Sequence, residues 1–176
     1  AWVDCAGPRA GRGVFMRANH ADAETTGGPQ VPRQRMSVPF TPPISLVNRT
    51  TLRAFNAAYF HRSRPTRRIE HYDPYFYPLD AIGDWNRIYG PRGFLQYQCV
   101  VPMADAQASL ASLLAEIRRS GSGSFLAVLK VFGDRRAAGI LSFPRAGTTL
   151  ALDFPNHGQA TLYLLERLDA IVVAAG

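Results

Sequence analysis

Lys130 is the sole lysine in a chain of 176 residues whose other nineteen strongly basic side chains are all arginine. Arginine stays charged, whereas lysine can shift its pKa and pass a proton. A lysine kept where arginine serves everywhere else is either chance or a candidate for proton transfer or charge stabilisation. The second candidate group is a pair of amides, Gln96 and Gln98, within the run Phe94 to Val101. Side chains alternate between the faces of a strand. Phe94, Gln96, Gln98 and Val100 therefore share one wall, and Leu95, Tyr97, Cys99 and Val101 the other. An unpaired buried amide is costly, so the glutamine wall either is wet or binds something polar.

The elements that would carry these groups follow from turn residues and hydrophobic period. Gly90-Pro91 and Gly93 mark a turn, after which 94–101 reads as a strand stopped by Pro102. A helix over about 104–119 follows, with Leu110, Leu113, Leu114 and Ile117 as its apolar stripe and Gly121 as its stop. A second strand is expected over 124–132, a turn or short strand at 139–143, and a third strand from Thr148 to Phe154. The last helix is expected over about 159–174, with Leu162, Leu165, Leu168, Ile171 and Val172 facing inward. The order β-α-β-β-α is five-sixths of a ferredoxin-like unit. The expected fold class is α+β: an antiparallel sheet with helices on one face, lacking its last strand. An edge left unpaired in that way invites pairing with another chain, so an edge-strand dimer is one expected assembly.

Upstream, residues 1–5 and 11–16 read as strands, 18–35 as a mobile loop, and 36–46 as extended but irregular. Asn48 can cap a helix to about Phe60 with Leu52, Phe55 and Tyr59 on one stripe. The segment 61–71 is strongly basic, which suits a solvated surface or a nucleic-acid or lipid-headgroup patch. Residues 72–79 are dense in aromatics with Pro74 and Pro78, and read as an ordered loop that packs on something or walls a pocket. This divides the chain into 1–92, with N-terminal strands, loop and helix, and a ferredoxin-like half, 93–176. The chain has no initiator methionine and opens on what reads as the middle of a strand, so a fragment is expected.

Composition narrows the classes. The net charge of +7 comes almost wholly from arginine. The bias is equally the mark of a GC-rich genome and says little about partners. Cys5 and Cys99 make no disulfide framework and are expected as free thiols, and no Cys/His cluster has metal-ligand spacing. No apolar run could span a bilayer. A location in the cytoplasm or at the periphery of the inner membrane is expected. A basic β-α-β-β-α chain also suits an RNA-binding module, but its strands lack the aromatic signature that such modules stack on bases. No nucleic-acid partner is therefore expected.

On the second strand Leu126, Val128, Lys130 and Phe132 share a face, and on the third Thr149, Ala151 and Asp153 oppose Leu150, Leu152 and Phe154. The more apolar sets suit the helices, which assigns Lys130 and Thr149 to the glutamine face. The resulting patch has an ammonium, two amides, a hydroxyl and an aromatic ring. It suits a polyhydroxylated or phosphorylated ligand, or else a polar contact with another domain.

Several runs carry a resemblance: Phe76-Tyr77-Pro78-Leu79-Asp80, Asp84-Trp85-Asn86-Arg87-Ile88-Tyr89-Gly90-Pro91, Gly93-Phe94-Leu95-Gln96-Tyr97-Gln98, Leu129-Lys130-Val131-Phe132-Gly133 and Leu152-Asp153-Phe154-Pro155. With Ala1-Trp2-Val3-Asp4 and Leu141-Ser142-Phe143-Pro144, these are similar to the FAD-linked oxidases of the decaprenylphosphoryl-ribose oxidase type, in the vanillyl-alcohol oxidase superfamily. The resemblance covers most of the chain from residue 72 on and is thin over 18–71. It implies a two-domain flavoenzyme of which this chain is the substrate domain, the FAD-binding domain lying upstream. It implies a pocket lined by Trp2, Gln96, Gln98, Lys130 and Phe132; Lys130 is the candidate catalytic residue, to orient the hydroxyl, stabilise a developing alkoxide or accept the proton. Phe76, Thr149 and Ala151 stand where the best-known member has tyrosine, asparagine and cysteine, which alters the polar contacts to a sugar. The implied reaction is oxidation of a secondary alcohol of a sugar, a polyprenyl-phosphate pentose or, alternatively, an aldonolactone or alditol. FAD is expected in the full-length protein and none of it on this chain, with a reductase as a further possible partner.

Overall fold

The computed structural model describes residues 1–22, 36–62, 66–79, 81–136 and 138–176. Most of the loop expected over 18–35, and 63–65 of the basic segment, lie outside the described residues. The elements in chain order are β1 (Trp2–Val3), β2 (Gly13–Val14), β3 (Met36–Ser37), α1 (Arg49–His61), α2 (Tyr72–Phe76), β4 (Ile82–Gly83), β5 (Phe94–Val101), α3 (Ala106–Ser120), β6 (Val128–Phe132), β7 (Gly147–Pro155) and α4 (Gln159–Ala174). Five strands form one antiparallel sheet in the order β2-β1-β6-β7-β5, and β3 pairs separately with β4 in parallel. The fold is α+β. The β5-α3-β6-β7-α4 succession is the β-α-β-β-α order expected, with β7 between its two partners and β5 at a sheet edge.

Helices α3 and α4 cover one face of the sheet. Leu113 and Ile117 of α3 and Leu164 and Leu168 of α4 close on Tyr97, Cys99, Leu150, Leu152 and Phe154. Full burial of such side chains contributes roughly 1.5–3 kcal/mol each. Helix α3 ends where Gly121 turns left-handed at φ 72°. Its buried Glu116 is bridged to Arg119 one turn on and to Arg167 of α4, which ties the two helices together. The inward stripe of α4 includes Leu165, Leu168, Ile171 and Val172 as expected and differs at its first position. Leu162 is 44% exposed and Leu164 is buried, because the phase runs Thr161, Leu164, Leu168 at i, i+3 and i+7.

The strand expected over 124–132 begins only at Val128. Ser124 Oγ donates to Leu126 O and accepts from Leu126 N–H, at 2.9 and 3.1 Å, folding 124–126 into a local turn. At 138–141 the described chain turns without forming a strand, and 72–79 is a short helix and a turn rather than a loop throughout.

The opposite face is partly covered by α1. Its capping box is complete: Asn48 Oδ1 accepts from Thr50 N and Thr51 N, and Thr51 Oγ1 accepts from Asn48 N. Tyr59 lies against Trp2 with ring centroids 4.7 Å apart, and Phe55 against Phe125 at 4.8 Å. Buried Asp4 joins β1 to this helix. It accepts from the Asn56 amide at 2.6 Å, Arg12 Nε at 2.9 Å and the Ala6 N–H at 3.0 Å. Near the entry to β5, Gly90 has φ 74°, and a Cβ there would meet the Ile44–Ser45 backbone at 3.1 Å. Only glycine fits both demands.

Candidate functional site

Strand register brings the chemistry-bearing residues together. Across β5, β7 and β6, Gln98 stands opposite Ala151 and Ala151 opposite Val128; Lys130 is opposite Thr149, and Gln96 opposite Asp153. Directly paired residues share a face. Gln96, Gln98, Lys130, Thr149, Ala151 and Asp153 therefore line one surface, the face away from α3 and α4. They border a cavity of about 260 Å³ whose far wall is Phe76 to Leu79 and Trp85. Trp85 is itself braced against Phe94, with centroids 5.1 Å apart. Two roomier clefts, of about 450 and 510 Å³, lie beside α1 and contain none of these groups.

Each side chain sits differently. Lys130, Gln96 and Gln98 are exposed and available to a ligand. Thr149 is buried, and its hydroxyl accepts a hydrogen bond from the Gln98 amide at 3.2 Å, so it steadies Gln98 rather than offering a free donor. Ala151 leaves room on the floor, and half-exposed Phe76 stands in the wall. Two residues expected at the pocket lie off it. Phe132 shares the face but sits beyond Lys130, opposite Gly147 and outside the cavity. Trp2 pairs with Val128 on the same face, yet it is buried beneath Tyr59 with its indole N–H donating to Phe125 O at 3.1 Å. The covering helix α1 withdraws it from the cavity.

Asp153 was not among the residues singled out from sequence. Its carboxyl is pushed up to about 6, chiefly by burial, with a hydrogen bond from Gln96 opposing the rise. Tyr89, raised by burial and then by the Asp153 charge, stays a neutral phenol. The available signal was a carboxylate placed by alternation on the polar face between two core residues. Cys5 and Cys99 are free and buried; burial pushes the Cys5 thiol up to about 11 and raises Cys99, so neither is a ready nucleophile. Among the described residues no group of three or more His, Cys, Asp or Glu could hold a metal. No described helix is long and apolar enough to cross a membrane.

No protein-family model matches the chain. Its likeness is to an oxidase. Over 88% of its length it is 34% identical to the decaprenylphosphoryl-β-D-ribose oxidase of Mycolicibacterium smegmatis, which bears out the resemblance carried by the motif runs. Over 97% of its length it is 28% identical to an uncharacterized protein of Streptomyces coelicolor. The chain spans 35% of the first relative's length and 49% of the second's.

Proposed function

We propose that this chain is the substrate-binding part of an FAD-dependent oxidoreductase that oxidises a secondary alcohol of a sugar, with a polyprenyl-phosphate pentose as the substrate class. The observation that carries the reading is the Thr149–Lys130 pair with Gln98 hydrogen-bonded diagonally to Thr149, three adjacent strands bringing two polar heads to one cavity. The name of the mycobacterial relative supports the substrate class. A cavity of about 260 Å³ suits a sugar-sized group and is far too small for a dinucleotide, so no described residue is assigned to holding FAD. FAD, held by the rest of the protein, supplies the hydride acceptor. This chain's part is to bind the sugar, orient the reacting carbon and manage the hydroxyl proton. Lys130 orients the hydroxyl and stabilises the alkoxide that develops as its proton passes to water on the exposed side of the cavity. Gln96 and Gln98 hold neighbouring hydroxyl or phosphate oxygens, and the Phe76–Leu79 wall excludes water from one side.

The test is Lys130→Ala in the full-length protein, assayed with a short-chain prenylphosphoryl ribose. Turnover should fall by about a hundredfold or more while flavin absorbance is unchanged. Undiminished turnover removes Lys130 from the chemistry. Faster turnover of free alditols or aldonolactones than of the phosphoryl sugar would transfer the protein to that substrate class.

A further inference from the structure

The buried carboxylates of the described chain are neutralised, with one exception. Asp4 has Arg12, the Asn56 amide and a backbone N–H. Glu116 lies between Arg119 and Arg167. Asp153 is 4% exposed, makes no ion pair among the described residues, and its Oδ1 has no hydrogen-bond partner. In a chain with 20 Lys and Arg to 13 Asp and Glu, that isolation is not for want of cations.

The groups facing Asp153 come from three segments. Gln96 of β5 stands opposite it, and Ser124 Oγ accepts from its backbone N–H at 3.2 Å. Tyr89, from the turn before β5, is within electrostatic reach. None of these is positive. Lys130 shares the face, but its partner Thr149 lies four residues back along β7, about 13 Å at the rise of a strand. A buried carboxyl with no ion pair among the described residues, between the core residues Leu152 and Phe154, costs stability that an apolar side chain would not. Such costs persist chiefly where they serve a site, and Asp153 lines the cavity.

We propose that Asp153 is the hydroxyl acceptor of this cavity: its carboxyl takes the hydrogen bond of one ligand hydroxyl at the end remote from Lys130, and so decides which hydroxyl pattern is accepted. The inference rests on reading the cavity as a sugar site. With no cation beside it among the described residues and only the Gln96 amide favouring its charge, the ionised carboxylate gains further compensation from the ligand, and a molecule lacking that hydroxyl leaves the charge buried without it. Together the two ends of the cavity suit a sugar carrying an anionic substituent.

The experiment measures binding of a short-chain prenylphosphoryl ribose and its monodeoxy analogues to the full-length protein by calorimetry. At about pH 8 the wild type should reject one deoxy analogue by about tenfold or more. In Asp153→Leu that preference should fall below about threefold while the parent sugar still binds. In the wild type the preference should weaken as the pH is lowered to about 5. A preference undiminished in Asp153→Leu, or indifferent to pH in the wild type, overturns the proposal while leaving the sugar site standing. A wild type that binds none of the phosphoryl sugars sinks both. Should Asp153→Leu fail to fold, Gln96→Leu decides: losing the amide that favours the ionised form must move the pH midpoint of the preference upward, and an unmoved midpoint refutes the role.

Discussion

Thr149 faces Lys130 across the β6–β7 ladder while its hydroxyl is already taken by the Gln98 amide of β5, 3.2 Å away. One buried hydroxyl thus fixes the direction of an exposed amide, and the ammonium stands beside them on the third strand. Alternation alone would allow Gln98 many rotamers; this hydrogen bond selects one.

Replacing that hydroxyl separates positioning from stability. Thr149→Val keeps the shape and leaves Gln98 free to bond water, so thermal unfolding should report a loss of no more than about 1 kcal/mol. Affinity of the full-length protein for a prenylphosphoryl ribose should nevertheless fall several-fold by calorimetry, since Gln98 is no longer aimed. A large loss of stability with unchanged affinity would make the bond structural only.

The two perturbed carboxyls give the chain a stability profile with opposite slopes. Burial raises the folded pKa of Asp153 to about 6. Between about 4 and 6 the folded state keeps a proton that the unfolded chain has released, so stability falls as the pH rises through that window. The two-unit difference corresponds to a penalty on the order of 3 kcal/mol above it. Arg119 and Arg167 hold Glu116 below its usual range; its contribution is present above the unfolded carboxylate pKa and is lost as the pH falls through its own lower value. Thermal unfolding should therefore show stability rising on acidification from about 7 to 4 and falling below. In Asp153→Leu the rise should vanish and the acid fall remain. A wild-type profile flat from 7 to 4 contradicts the placement of Asp153.

Helix α1 matters to the site through what it covers. Asn48→Ala removes the acceptor for two backbone N–H groups and one half of the capping box, at a cost of about 1 kcal/mol. Because Tyr59 of this helix lies against Trp2, fraying should also raise tryptophan quenching by acrylamide before global unfolding. A melting temperature and quenching both equal to wild type would show that the cap is idle.

Much of this was legible in the residues. The order of 94–101, 104–119 and 159–174, and the polar face shared by Gln96, Gln98, Lys130 and Thr149, follow from a period of two in strands and about three and a half in helices. Those periods are local, set by backbone sterics and by which neighbours must leave water. The phase of α4 was less legible, because Leu162 and Leu164 are equally apolar and only the packed sheet distinguishes them. The start of β6 was hidden for a similar reason, since the hydroxyl of Ser124 competes with the ladder.

Alternation within the strands thus determined which side chains share a face, and hydrophobic period determined which helices cover the other. Only the tertiary structure decided that α1 lies over Trp2 and removes it from the cavity, that Thr149 serves Gln98, and that Asp153 has no cation beside it among the described residues. Those facts depend on segments 29 to 123 residues apart in the chain. Burial and charge pairing are sums over such distant neighbours, which no local pattern encodes.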